Sequence, residues 1–292
     1  MRQTYGKSLP DMKLADLPGK LIVIEGTDGA GRTTQINLLK PWLEELGHAV
    51  LDTGMTRSPL AGEGIRRAKE GNNLGRVTQS LFYATDFVDR LENEIIPALR
   101  AGFVVLTDRY IYSLMARAAV RGVEWSWIRS IYSVALKPDA VFYLRVGIEQ
   151  LIPRVIFTRG FDYWESGMDL FPASDMYEGF CSYQKALLAE FDVLCAQYGL
   201  ETVDASVDAK TVFSVLKARI LNVLEDLHKV EIPKAPSYAP VRPARVSPAE
   251  GPIAASGSNG KHFELLLQPL ANFAAGSNGN GNGNGNGNHN QH

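Results

Sequence analysis

Nine consecutive residues, Gly26-Thr-Asp-Gly-Ala-Gly-Arg-Thr-Thr34, set three glycines ahead of a basic side chain and two hydroxyls. Glycines let the backbone curl so that successive N–H groups face an anion, and a helix starting there adds the positive end of its dipole. The spacing is that of a phosphate-binding loop, G-x-x-x-x-G-K-[ST], with Arg32 at the lysine position. Gly26, Thr27, Asp28, Gly29, Ala30, Gly31, Arg32, Thr33 and Thr34 are therefore expected to surround the phosphates of ATP, the Thr33 hydroxyl reaching Mg²⁺. A second group, Asp108-Arg109-Tyr110, follows the apolar run Phe103-Val-Val-Leu. A carboxylate at the end of a buried strand suits Asp108 for Mg²⁺, directly or through water, and the planar fork of Arg109 matches a phosphate. The plain alternatives are a glycine turn and a surface Asp–Arg pair. An apolar strand before the loop and helical periodicity after it speak against both. Neither group contains a histidine or a cysteine, which argues against chemistry based on either.

These residues need a scaffold. Five segments read as buried strands: Lys20–Glu25, Ala49–Thr53, Phe103–Asp108, Ala140–Arg145 and Glu201–Val203. Segments with helical periodicity alternate with them: the loop to about Leu46, Arg76–Leu99, Ile111–Arg121, Trp125–Ala135, Ile148–Phe157, Met176–Tyr198 and Ala209–His228. Pro41 is expected to bend the first of these. The alternation predicts an α/β fold, a mostly parallel sheet covered by helices on both faces. Ligands in such folds bind at the carboxyl edge of the strands, where both groups would lie.

The ordered motifs resemble the thymidylate kinase family. The resemblance is carried by Ile24-Glu-Gly26 leading into the loop, Thr56-Arg57, Leu81-Phe-Tyr-Ala84, the Asp-Arg-Tyr-x-x-Ser stretch from Asp108 to Ser113, and Pro138-Asp-Ala-Val-Phe-Tyr-Leu144. It extends from about Lys20 to Leu224 and implies a P-loop three-layer sandwich with a five-stranded parallel sheet. It further implies transfer of the γ-phosphoryl of ATP to a nucleoside 5′-monophosphate, by default dTMP to dTDP, with Mg²⁺ as counter-charge. Carried over residue by residue, Arg109 clamps the acceptor phosphate with Arg57 as a second clamp. Phe82 stacks on the acceptor base, Asp28 approaches the sugar, and Tyr110 walls the pocket. A mobile lid containing Arg154 and Arg159 supplies late positive charge, so Arg32, Asp108 and Arg159 form the catalytic set. The family also implies a homodimer.

The chain departs from the family in three places. Arg32 replaces a compact ammonium by a bulkier fork, which implies either retuned transfer or nucleotide binding without turnover. Asp86 stands where the family places a base-reading arginine, and Arg117-Ala118 where it places Tyr-Gln. A carboxylate accepts but cannot donate, so Asp86 in the pocket would loosen selectivity for thymine and favour a base with an amino group. The competing reading pairs Asp86 with Arg90 one helical turn along. In the lid, Tyr163 of Asp162-Tyr-Trp-Glu165 replaces an arginine for which Arg159 compensates, while Tyr163, Trp164 and Phe171 read as a core or interface patch. Other functions remain open at this level, namely a non-catalytic nucleotide-binding regulator or a kinase for another small acceptor.

Bulk properties narrow the partners. Of 292 residues, 45% are hydrophobic and the formal net charge is −2, which gives no reason to expect nucleic acid or an anionic membrane. Met1–Lys20 has no apolar core of signal-peptide length, and Cys181 and Cys195 read as reduced thiols, so a soluble cytoplasmic protein is expected. Residues 1–19 form an N-terminal extension and 20–230 the kinase domain. The Pro/Ala/Ser-rich linker, the apolar island 263–268 and the closing Gly/Asn repeat make up 231–292, a disordered tail suited to docking a protein partner.

Overall fold

The run Leu21-Ile-Val-Ile24 has no polar member and no exposed side chain, the signature of a strand buried on both faces. In the computed structural model, which describes residues 2–7, 9, 17–71, 74–171, 175–225 and 227, this run is the middle of a five-stranded sheet. The strands are β1 (Lys20–Glu25), β2 (Val50–Gly54), β3 (Val104–Asp108), β4 (Ala140–Arg145) and β5 (Glu201–Asp204). They lie in the order β2-β3-β1-β4-β5 and every pairing is parallel.

Successive side chains of a strand face opposite sides, so each strand feeds two cores. Leu21 and Val23 of β1 and Val105 of β3 pack with Phe87, Tyr112 and Leu187 on one face. Ile22 and Ile24 pack with Ile36, Leu39, Leu216 and Ile220 on the other. The first face is covered by α3 (Arg76–Arg90), α5 (Ile111–Val120) and α8 (Met176–Tyr198), the second by α1 (Arg32–Glu45) and α9 (Ala209–Leu224). This is the expected three-layer α/β sandwich. The remaining helices are α2 (Gly62–Glu70), α4 (Ile96–Arg100), α6 (Trp125–Ile131) and α7 (Ile148–Thr158).

The chain leaves β1 toward β2 and leaves β3 toward β4, on opposite sides of two adjacent strands. That reversal opens a crevice at their carboxyl ends. The register pairs Ile24 with Asp108 and Asp108 with Gly54, so the segments following β1, β2 and β3 all emerge at one edge.

The structure departs from the sequence expectations in a few elements. The segment Arg76–Leu99 is not one α-helix. After α3 comes a π-helical turn, Leu91–Ile95, and then α4. Pro97 has no N–H for the carbonyl four residues back, and the hydrogen-bond ladder widens just ahead of it. Helix α1 continues through Pro41 to Glu45. Helix α2, which carries Gly62 and Gly64, was not anticipated, because glycine weakens the helical signal. Part of the N-terminal extension packs on the domain, with Thr4 bridging Leu136 and Arg2 paired with Asp139 at 2.9 Å. The linker, the apolar island and the Gly/Asn repeat lie outside the described residues. Among the described residues, no helix is long and apolar enough to cross a membrane, and both cysteines are free.

Candidate active site

The loop between β1 and α1 is shaped by its glycines. Gly26, Gly29 and Gly31 all have positive φ, at 153°, 83° and 91°. Two of them also lack room for a side chain, since a Cβ on Gly26 would lie 2.9 Å from the Leu144 carbonyl oxygen and one on Gly29 2.9 Å from a Val155 methyl carbon. Gly31 opens α1, so the loop ends in a helix N-terminus. Residues 28–34 of the loop, Asp108, Arg109, Arg154 and Arg159 line one cavity of about 720 Å³.

Arg32 does not reach into that cavity as a free cation. Its Nε donates to Asp108 Oδ1 at 2.7 Å and its Nη1 to the carbonyls of Gly26, at 2.6 Å, and Thr27. The Thr33 hydroxyl donates to the other Asp108 oxygen at 3.3 Å. Burial alone would raise the Asp108 pKa, but the charges of Arg32 and Arg109 outweigh it and hold the carboxyl below its usual value. Thr33 and Asp108 thus present adjacent hard oxygen donors. Among the described residues no cluster of three or more His, Cys, Asp or Glu could cage a metal. The Thr33–Asp108 oxygen pair fits Mg²⁺, which takes one or two protein oxygens and completes its shell with water and phosphate.

Across the crevice the construction changes from backbone to side chains. Arg109 sits just past β3 at φ 70°, a strained value for a residue with a side chain, and one that recurs at functional sites. The conformation is held by its N–H donating to the Ile24 carbonyl at 3.0 Å and its own carbonyl accepting from the Thr107 hydroxyl at 2.7 Å. Its Nη2 donates to Asp28 Oδ1, while Arg117 Nη2 donates to Asp28 Oδ2 at 2.6 Å. Asp28 is 3% exposed. Burial works against its ionisation, but Arg109, Arg117 and Arg32 together depress its pKa far below the carboxylate range.

The other expected acceptor residues fall into two groups. Arg57 follows β2, next to Thr56 at φ 65°, and its Nη1 donates to Asp52 at 2.8 Å. Phe82 is half-buried on α3, its ring edge close to Gly64 of α2. Arg57 lies beside Gly54 and Asp108 at the ends of β2 and β3, and Phe82 faces α2. Asp86 and Tyr110 are buried instead. Asp86 has no exposed surface; its oxygens accept the Thr56 and Ser58 N–H groups at 3.0 and 2.9 Å and pair with buried Arg90 at 3.1 Å. It fastens the segment carrying Arg57 to α3, and the expectation that it contacts a base is corrected accordingly. Tyr110 is 1% exposed, packs edge-on against Phe87, and donates its hydroxyl to the Leu136 carbonyl at 3.1 Å. It belongs to the core and does not wall the pocket.

Arg159 pairs with Glu165 at 2.6 Å, and Arg154 donates to the Ala205 and Ser206 carbonyls. The aromatic lid residue Trp164 is buried, and its Nε1 donates to the Lys69 carbonyl at the end of α2 at 2.9 Å. Arg121 holds Asp169 with two bonds of 2.8 and 3.1 Å. The stretch expected to act as a lid is thus tied to α2 through Trp164 and to the end of α5 through Asp169.

Sequence reasoning missed two residues of the site. Glu25, fully buried, accepts from the N–H groups of Tyr110 and Ser113 at 2.9 and 3.1 Å and from the Ser113 hydroxyl, joining the end of β1 to the start of α5. The signal was a carboxylate directly after the apolar run Leu21–Ile24. Arg117 was noted only as a departure from the family, and nothing local shows that it reaches Asp28.

Comparison with known proteins agrees with this geometry. The thymidylate kinase family model matches residues 24–167. A probable thymidylate kinase 2 of Saccharolobus solfataricus is 39% identical over 180 residues, covering 61% of this chain and 84% of that protein. A probable thymidylate kinase of Pyrococcus horikoshii is 34% identical over 143 residues, 47% of this chain and 70% of its own length. The thymidylate kinase of Brachyspira hyodysenteriae is 26% identical over 214 residues, 72% and 95% of the two chains. With the loop, Asp108-Arg109 and the sheet order all in place, the chain belongs to the thymidylate kinase family.

Proposed function

We propose that the protein is a nucleoside-monophosphate kinase that converts ATP and dTMP into ADP and dTDP. A phosphate oxygen of dTMP attacks the γ-phosphorus, the new O–P bond forms as the bond to the bridging β,γ-oxygen breaks, and ADP leaves with that oxygen. Such a transfer needs alignment and positive charge more than a nucleophilic side chain. The observation that carries the reading is the meeting, at one sheet edge, of a glycine loop of positive-φ residues with Asp108-Arg109.

In this reading the N–H groups of residues 26–34 cradle the ATP phosphates. Thr33 and Asp108 would hold Mg²⁺, which when bound neutralises charge on the β- and γ-phosphoryl oxygens. Arg32 changes partners from Asp108 to phosphate oxygens as the nucleotide enters. Arg109 and Arg57 orient the acceptor phosphate, Phe82 offers its ring face to the base, and Arg159 leaves Glu165 for the transferring group. Latching of Trp164 and Asp169 to α2 and α5 excludes water from the crevice. With Asp86 removed from the pocket, its carboxylate gives no reason to expect a base bearing an amino group.

The test is purified protein with ATP-Mg²⁺ and a panel of dTMP, dCMP, dGMP and dAMP. The expected product is dTDP, formed with a higher kcat/KM than any other diphosphate. Failure to form a diphosphate from any acceptor would contradict the kinase reading.

A further inference from the structure

Asp28 is shared between two arginines, and only one of them has another task. When Arg109 turns to an incoming phosphate it must release Asp28 Oδ1. A carboxylate that is 3% exposed would then lose an ion-pair partner, and a buried charge without a partner is costly. Arg32 is poorly placed to take over. Its Nη2 stands 4.0 Å from Asp28, its Nη1 is held by two backbone carbonyls, and its Nε passes from Asp108 to phosphate in the kinase reading. Arg117, buried on α5 behind the carboxylate, already holds Oδ2 at 2.6 Å. On the other side of the exchange, Arg109 Nε is buried and has no hydrogen-bond partner among the described residues, so this guanidinium carries an N–H that its internal partner does not satisfy.

Resting on the kinase reading above, we infer that Arg117 is a positioning residue that retains the Asp28 carboxylate and so releases Arg109 to bind the acceptor's 5′-phosphate. Asp28 is the internal counter-ion of Arg109 while the site is empty. The acceptor phosphate displaces it, and Arg117 keeps the displaced carboxylate paired. Arg117 touches neither phosphate nor reacting atoms; its effect passes through Asp28. The consequence is specific to ligands that carry the phosphate. Thymidine, which lacks it, makes no demand on Arg109.

The experiment compares the affinity for dTMP with the inhibition constant of thymidine, in the wild-type chain and in Arg117→Gln. Loss of Arg117 should weaken dTMP by about 30-fold or more, the scale of stranding one partner of a buried pair, and change thymidine far less. The double variant Asp28→Asn/Arg117→Gln, which has no carboxylate to hold Arg109, should return the dTMP-to-thymidine ratio toward the wild-type value. Should Arg117→Gln not fold, Arg117→Lys takes its place, with a shorter reach and a loss of about threefold or more in the same ratio. An unchanged ratio in the folded variant overturns the inference, as does equal weakening of dTMP and thymidine, which marks a merely structural role. A wild-type chain that fails to phosphorylate dTMP contradicts the kinase reading itself and is recognised before any variant is measured.

Discussion

The two halves of the crevice are built from different materials. On the donor side the contacts we propose are backbone N–H groups whose direction is fixed by three glycines at positive φ and by the start of α1. On the acceptor side they are long cationic side chains, Arg57 from the segment after β2 and Arg109 after β3, the latter paired with Asp28, which Arg117 of α5 grips from its other oxygen. A backbone cradle is specified within a few consecutive residues and is ready before the ligand arrives. A side-chain clamp is assembled from distant positions and holds itself together with internal ion pairs that the substrate must exchange. The donor half is therefore pre-formed in its backbone, with the Arg32–Asp108 pair left to exchange, and the acceptor half is poised.

That difference can be broken at its strongest point first. Asp86→Ala removes a carboxylate that pairs with buried Arg90 and fastens the Thr56–Ser58 backbone. It should cost about 3–5 kcal/mol of stability, read as a fall in unfolding free energy. The ranking among dTMP, dCMP, dGMP and dAMP should persist, because Asp86 has no surface in the pocket; a changed ranking with little loss of stability would return it there. Arg109→Gln removes the acceptor clamp and should lower kcat/KM for dTMP by about 10²–10³-fold, while the affinity for ATP-Mg²⁺ changes far less. Equal losses for both substrates would erase the distinction between the halves.

Smaller effects refine the donor side. Arg32→Lys gives up the fork that grips Asp108 and the Gly26 and Thr27 carbonyls. It should lower the KM for ATP-Mg²⁺ by up to about tenfold and leave that for dTMP in place, since a compact ammonium suits phosphate oxygens and frees Asp108. Trp164→Phe keeps the buried ring but deletes the bond to the Lys69 carbonyl, about 1 kcal/mol of lid latching. The readout is a few-fold faster protease cleavage within the lid, with saturating ATP and dTMP restoring protection.

The donor half and the frame around it were legible from sequence because their signals are local. The apolar run before Gly26, the glycine spacing, and the carboxylate closing Val104–Asp108 each sit within a few residues, and all five strands lie where the pattern puts them. The acceptor half was legible only in part. Arg57 and Arg109 lie at the carboxyl edge of the sheet and Phe82 faces α2, but Asp86 and Tyr110 turn into the core. Which way a helix face or a post-strand residue points depends on packing that no single segment encodes. The pairing of Asp86 with Arg90 at i, i+4 was visible in spacing, yet an exposed weak pair and a buried strong one share that spacing. Arg117 was hidden for the same reason, since its partner Asp28 is 89 residues away in sequence.

The central claim is that a backbone-built donor site and a side-chain-built acceptor site work together as one kinase. It is tested most directly by following ADP and dTDP in the same reaction of the full chain with ATP-Mg²⁺ and dTMP. The account predicts one dTDP for each ADP and almost no ADP when dTMP is left out. ADP released at the same rate with and without dTMP, and no dTDP, would contradict it.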